Sequence, residues 1–178
     1  CILNQNGIRL EGVESSTMAN NTCFQNTDTG MYLYSSSYNT ISGNIIDRNQ
    51  YGLTITESST GNEVFGNGFF DNINTGVYLL SCDGNYVYGN ILSGNYGSNS
   101  VYGTPQASDS GVNWWNATTY GNLWLDWAGP DANSDGIVDS PYILTGLGSQ
   151  DYYPLSIALE ITSPANGSYV VSPIVGLQ

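Results

Sequence analysis

Gly30-Met31-Tyr32-Leu33-Tyr34-Ser35-Ser36-Ser37-Tyr38-Asn39-Thr40-Ile41-Ser42-Gly43-Asn44-Ile45-Ile46-Asp47-Arg48-Asn49 is the stretch from which the fold can be read. It opens with Met31-Tyr32-Leu33-Tyr34, an apolar and polar alternation with the two-residue period of a strand that buries one face. A step of 23 residues from Asn44 lands on Asn21, Asn67 and Asn90, and the same step from Asn49 lands on Asn26, Asn72 and Asn95. A third column reads Ser16, Asn39, Asn62, Asn85. Apolar columns keep the period: Met18, Ile41, Val64, Val87, and Cys23, Ile46, Phe69, Leu92. Two more, Ile8, Met31, Leu53, Val77 and Leu10, Leu33, Ile55, Leu79, follow Gly7, Gly30, Gly52 and Gly76, with a one-residue slip before Gly52 that is recovered by Gly76.

A repeat of 23 residues holds three short strands and three turns. A chain that buries one face of each strand and returns to the same column every repeat must coil, stacking like on like at about 4.8 Å per turn. The fold class predicted is all-β, a parallel β-helix. The Asn columns then have a structural reason: a side-chain amide donates and accepts, so it bonds the amides above and below, and Asn tolerates left-handed turns.

At 178 residues the chain is long enough for one domain with a real core. Its net charge is −13, it has no His, and its only cations are Arg9 and Arg48. That balance argues against nucleic acid and anionic membranes as partners, excludes catalysis by His or Lys, and makes a divalent metal ion the natural counter-charge. No stretch reaches the eighteen or so consecutive apolar residues of a membrane span. No signal peptide is visible, so the reading is a mature protein or a fragment. Cys1 falls in core register with Cys23, which suggests a coil already under way and a possible pair between the two; a mature lipoprotein cysteine is the alternative, and Cys82 falls at a turn. Sequons for N-glycosylation stand at Asn20, Asn116 and Asn166.

After Asn95 the repeat fades, and Trp114, Trp115, Trp124 and Trp127 cluster in a segment suited to plugging the apolar end of the last coil. There follows Asp131-Ala132-Asn133-Ser134-Asp135-Gly136-Ile137-Val138-Asp139. Oxygen-bearing side chains at alternate positions, a Gly for the sharp turn and an apolar residue offering its carbonyl reproduce nine positions of an EF-hand-type Ca2+ loop. The expected ligands are Asp131, Asn133, Asp135, Ile137 and Asp139. Position twelve is Tyr142, so Asp126 or Asp151 is expected to supply the missing carboxylate. An Asx-rich turn without metal is the alternative. The domain reading is residues 1–106 for the coils, 107–156 for the Trp-rich cap and calcium loop, and 157–178 for a linker or first strand of a following β-sandwich.

The repeat quoted above resembles NosD-type, or carbohydrate-binding and sugar-hydrolase (CASH), β-helix repeats. The stretch from Asn113-Trp114-Trp115 through Asp151-Tyr152-Tyr153-Pro154-Leu155 is similar to the terminal segment of such proteins on the surfaces of methanogenic archaea. The resemblance covers residues 1 to 155 and implies a right-handed β-helix, an extracellular location and frequent fusion to β-sandwich repeats. The copper-delivery role attached to the NosD name has little to work with in a chain of no His and 2 Met.

The function read first is a non-catalytic cell-surface module, a surface-layer, sheath or adhesion component stabilised by calcium, with other envelope subunits or polysaccharide as partners and self-assembly as one form. A polysaccharide lyase or glycoside hydrolase is the alternative, since the fold hosts both; Asp47 and Asp71 form the acidic pair to test. Asp71 also lies one repeat above Arg48, as in a surface ion pair. A third reading is carbohydrate binding on the outward rings of Tyr32, Tyr34, Tyr78, Tyr86 and Tyr88.

Overall fold

The computed structural model describes residues 1–95, 105–157, 159–162 and 170–173. Strands β1 (Ile8–Glu11), β2 (Thr17–Ala19) and β3 (Thr22–Phe24) make the first complete coil. The next three coils are β4 (Thr29–Tyr34), β5 (Thr40–Ser42) and β6 (Ile45–Asp47); β7 (Tyr51–Thr56), β8 (Glu63–Phe65) and β9 (Gly68–Phe70); and β10 (Thr75–Leu80), β11 (Tyr86–Tyr88) and β12 (Ile91–Ser93). Equivalent strands pair in parallel, giving three sheets that run the length of the stack. The register is the predicted one. Ile8 pairs with Met31, Met31 with Leu53 and Leu53 with Val77, so the slip is absorbed before β7 and recovered before β10.

The apolar columns fill the interior. Met31, Leu33, Ile41, Ile46, Leu53, Ile55, Val64, Phe69 and Leu92 are fully enclosed, each contributing roughly 1.5–3 kcal/mol by leaving water. The turns are built on left-handed residues that also recur by column. Asn20, Gly43, Gly66 and Gly89 have positive φ, as do Gln25, Arg48, Asp71 and Gly94. The ladder Asn residues themselves do not take this conformation; the residue before each of them does. The left-handed tolerance of Asn therefore does not explain the columns, and hydrogen bonding does.

The coils continue past the point where the sequence repeat fades. Strand β13 (Ala107–Asp109) extends the first sheet, Trp114 bridges to Tyr86 on the second, and β14 (Leu123–Trp124) extends the third. Between them the chain takes longer detours, and this removes the 23-residue period without breaking the stack. Trp124 is the last member of the Cys23 column, pairing beyond Leu92, and Trp115 lies beyond Val87. Both indoles are buried. Tyr142, at the start of β15 (Tyr142–Ile143), stacks on Trp124 with ring centroids 3.9 Å apart, and Trp127 meets Tyr142 edge-on at 5.7 Å. Trp115, Trp124 and Trp127 thus pack against the apolar columns or the ring of Tyr142 at this end of the stack. Trp114 does not: it is 47% exposed because its strand position points outward, where it stacks on Tyr86 at 4.6 Å. Strands β16 (Thr145–Gly146) and β17 (Gln150–Asp151) complete the cap, by pairing with β13 and β15 respectively. Beyond it β18 (Leu159–Thr162) and β19 (Val170–Pro173) form an antiparallel pair.

Candidate functional site

The three Asn columns are three hydrogen-bonded ladders, all polarised the same way. In each, the Nδ2 of one Asn donates to the Oδ1 of the Asn one coil further on, as in Asn44 to Asn67 (2.9 Å) and Asn67 to Asn90 (3.0 Å). The same oxygen accepts the backbone N–H of the lower Asn, and the second Nδ2 hydrogen goes to a backbone carbonyl, Ile41 for Asn67. Asn21 and Asn113 are half-buried at the two ends, and the amides between them are buried and bonded. Because all donors face the cap, each ladder presents N–H groups there and needs an acceptor.

Each ladder ends on a carboxylate. The ladder through Asn90 passes to Asn122, whose Nδ2 and backbone N–H donate to Asp151 Oδ2 at 3.2 and 2.6 Å; Trp124 Nε1 joins them at 2.9 Å. The ladder through Asn85 passes to Asn113, which donates to Asp109 Oδ1 at 2.8 Å, while Trp115 Nε1 donates to Asp109 Oδ2. The ladder through Asn95 passes to Gln106 Oε1, and Gln106 Nε2 donates to Asp126 Oδ1 at 2.5 Å. Tyr142 Oη donates to the other Asp126 oxygen. Burial pushes the Asp151 carboxyl above its ordinary range, against the pull of the N–H groups of Asn122, Trp124 and Tyr153.

Asp126 and Asp151, expected as further calcium ligands, take part in these bonds. Both are held as ladder acceptors by Gln106, Tyr142, Asn122 and Trp124. The loop folds tightly on its first residue. Asp131 Oδ1 accepts the N–H of Asp135 at 3.1 Å, and Oδ2 accepts the N–H of Gly136 at 3.0 Å and the Ser156 hydroxyl at 2.9 Å. The Ser156 hydroxyl, with the N–H groups of Gly136, Asp135 and Ser134, holds the Asp131 carboxyl below its usual range. Gly136 has φ +86, and Ile137 bridges antiparallel to Leu155, tying the loop to the cap. Asn133 Nδ2 donates to Asp135 Oδ2 and the Ala132 N–H donates to Asp139 Oδ2. Among the described residues no three His, Cys, Asp or Glu side chains converge on a point; the loop's expected oxygens include the Asn133 amide and Ile137 carbonyl, which lie outside that set.

The outward tyrosines pair ring on ring. Tyr32 stacks with Tyr34 at 6.5 Å and carries Arg9 over its face at 5.0 Å; Tyr88 stacks on Phe65 and meets Tyr120 edge-on. Tyr86 lies against Trp114. Stacks spaced by one coil spend ring faces on each other and turn edges to solvent. The exception is a cleft of about 550 Å³ beside Tyr51 and Tyr78, stacked at 5.7 Å, with Asn74, Thr75, Ser108 and Thr145 along it. The sequence reading missed Tyr51, which belongs to no repeating Tyr column.

Arg48 does not pair with Asp71. Its Nε lies 3.8 Å from the adjacent Asp47 and its guanidinium sits 5.6 Å from the ring of Phe24, on the strand of the preceding coil, and Arg48 itself has a positive φ. Burial, offset by Arg48 and reinforced by Asp71, raises the Asp47 carboxyl. Of the sequons, Asn20 is exposed, Asn116 is half-buried, and Asn166 lies outside the described residues.

A stack of parallel coils, with aromatic rings and ladder-terminating carboxylates at one end, defines a parallel β-helix protein. Residues 1–129 match the family described as "Periplasmic copper-binding protein (NosD)", and the chain belongs to that family. Comparison with curated proteins and with solved structures gives no match. The family places the chain outside the cytoplasm, in the periplasmic or extracellular space. No helix among the described residues is long and apolar enough to cross a membrane.

The residues do not fit copper. The chain has no His; Met18 and Met31 are interior members of core columns. Cys82 is buried in the turn column of Ser36 and Ser59, and burial pushes its thiol up to about 12. Cys1 and Cys23 bring two sulfurs together, their Sγ atoms 2.6 Å apart, but no third Cys, His, Asp or Glu joins them among the described residues, which falls short of the ligand set a copper site requires.

Proposed function

We propose that this chain is a non-catalytic structural module of the cell surface, of the surface-layer, sheath or adhesion kind, whose cap is stabilised by calcium. The observation that carries this reading is the direction and termination of the ladders. Polar groups that an enzyme would turn toward a substrate are here spent inside the stack, and Asp109, Asp126 and Asp151 close it. Such a stack resists fraying and proteolysis because its edge groups are satisfied.

Calcium is the cofactor of this reading. The carboxylates of Asp131, Asp135 and Asp139 lie within nine residues of a chain carrying −13 charges, and their mutual repulsion is relieved by a divalent cation. The Asn133 amide and Ile137 carbonyl are the neutral ligands. Binding would tighten the link from the loop through Ile137 and Leu155 to Asn122, whose carbonyl accepts the Leu155 N–H. The test is thermal unfolding followed by Trp fluorescence in calcium and in excess chelator. A midpoint several degrees lower in chelator, with no such difference in an Asp131→Ala/Asp135→Ala variant, supports the assignment; equal midpoints for the wild type sink it.

The cleft at Tyr51 and Tyr78 favours a second reading, recognition of a polysaccharide by stacking with Asn74, Thr75 and Ser108 as polar contacts. Loss of glycan retention in a Tyr78→Ala variant that unfolds normally would support it.

A further inference from the structure

Cys1 and Cys23 occupy neighbouring places in the same core column. Ile2 bridges to Phe24, the Phe24 N–H donates to the Cys1 carbonyl at 3.0 Å, and the Cys1 amino group donates to the Thr22 carbonyl at 2.9 Å. Parallel pairing puts the two Cα atoms about 4.8 Å apart, inside the range that a disulfide spans. Their Sγ atoms face each other at 2.6 Å. A metal ion bound to both sulfurs at about 2.3 Å would have to spread them by more than an ångström, and the neighbouring atoms oppose it: Cys23 is fully buried, and Cys1 Sγ is packed beside Gly7 and the Thr22 carbonyl.

We propose that Cys1 and Cys23 form a disulfide that staples β3 to the chain segment beneath it, a modification site served by a protein disulfide of the oxidising envelope space. The exposed Cys1 thiolate attacks the oxidant disulfide, forming a mixed disulfide and releasing one oxidant thiolate. Cys23 then gives up its proton and attacks Cys1 Sγ, and the second oxidant thiolate leaves. The two protons lost by Cys1 and Cys23 end on the oxidant, which departs as a dithiol, reduced by two electrons. Cys1 goes first because burial lifts the competing Cys23 thiol to about 11. Cys82 takes no part; it lies in a different column and donates to the Ile55 carbonyl.

The chain has two trypsin sites, after Arg9 and Arg48, and they place Cys1, Cys23 and Cys82 on three different peptides. The 178-residue protein is exported to an oxidising compartment, alkylated while denaturing, and digested. The expected result is peptide 1–9 joined to peptide 10–48, lighter than their sum by two hydrogens, with Cys82 alkylated. Alkylation of all three cysteines, even after incubation with oxidised glutathione, overturns the proposal, as does any link to Cys82. A second readout is amide exchange: reduction with a phosphine should speed exchange at the Phe24 and Leu3 N–H groups, which bond across this seam, by at least about tenfold. Unchanged exchange on reduction would show that no bond was present to cut.

Discussion

At the scale of the residue, an amide ladder is a directed object. Each Asn passes its donor toward the cap, so the last amide is an exposed positive end unless something accepts from it, and an ionised carboxylate is the side chain that only accepts. Asp151 takes two N–H groups of Asn122, one of Trp124 and the Tyr153 N–H. Asp151→Asn turns donors onto donors and is expected to lower stability by about 2 kcal/mol, measured by urea unfolding at neutral pH. The pH dependence has a definite sign. The folded carboxyl is raised by burial, so the component that comes from proton binding is fully present below pH ~4 and is lost as pH rises through the folded value, while the ionised carboxylate that remains keeps its role as ladder acceptor. Wild-type stability should carry that falling component in mildly acid solution, and the Asn variant should lack it. Matching slopes in the two proteins would refute the assignment.

At the scale of the element, the glycine and asparagine columns are two halves of one fit. A Cβ on Gly30 would meet Ile46 Cγ2 at 2.6 Å, the Gly52 carbonyl oxygen at 2.8 Å and Asn49 Nδ2 at 2.9 Å, and one on Gly52 would run into the Gly76 carbonyl oxygen and then Asn72 Nδ2 at 3.0 Å. The backbone of the next coil and the ladder amide together fill the space that the missing side chain leaves. Gly52→Ala should therefore cost about 3 kcal/mol by overpacking. Gly12 has a different reason for being glycine: its φ is +63 and no atom lies within 4 Å of its Cβ position. Gly12→Ala should cost only about 1 kcal/mol, the strain of a left-handed turn. Denaturant midpoints of the two variants, side by side, check the distinction; equal losses would mean that close packing is not what selects Gly52.

At the scale of the whole molecule, an open stack exposes an apolar cross-section and a row of unpaired strand groups. The cap closes the end beyond β12 by ending the core columns on Trp115 and Trp124 and laying Tyr142 over them. Trp124→Ala is expected to cost about 3–5 kcal/mol and to raise light scattering with concentration as the edge opens. Trp114→Ala, at an exposed ring, should cost under about 1 kcal/mol and leave the protein monodisperse. Comparable losses in both would contradict the division of roles between the two indoles.

The sequence alone determined the coil length, the register with its slip at Gly52, the interior columns and the three ladders, because a solenoid repeats each contact at a fixed spacing and every column votes for the same answer. It also marked the Asp131–Asp139 loop, whose ligand spacing is local. Only the tertiary structure decided what closes the stack. Asp109, Asp126 and Asp151 take up ladder ends from 4 to 29 residues away in the chain, and no period links them, so spacing alone does not reveal their place at the ladder ends. The same holds for Trp114, whose neighbours in sequence are plug residues, and for Arg48. The direction of each side chain is set at a single position, a property that composition and spacing do not carry.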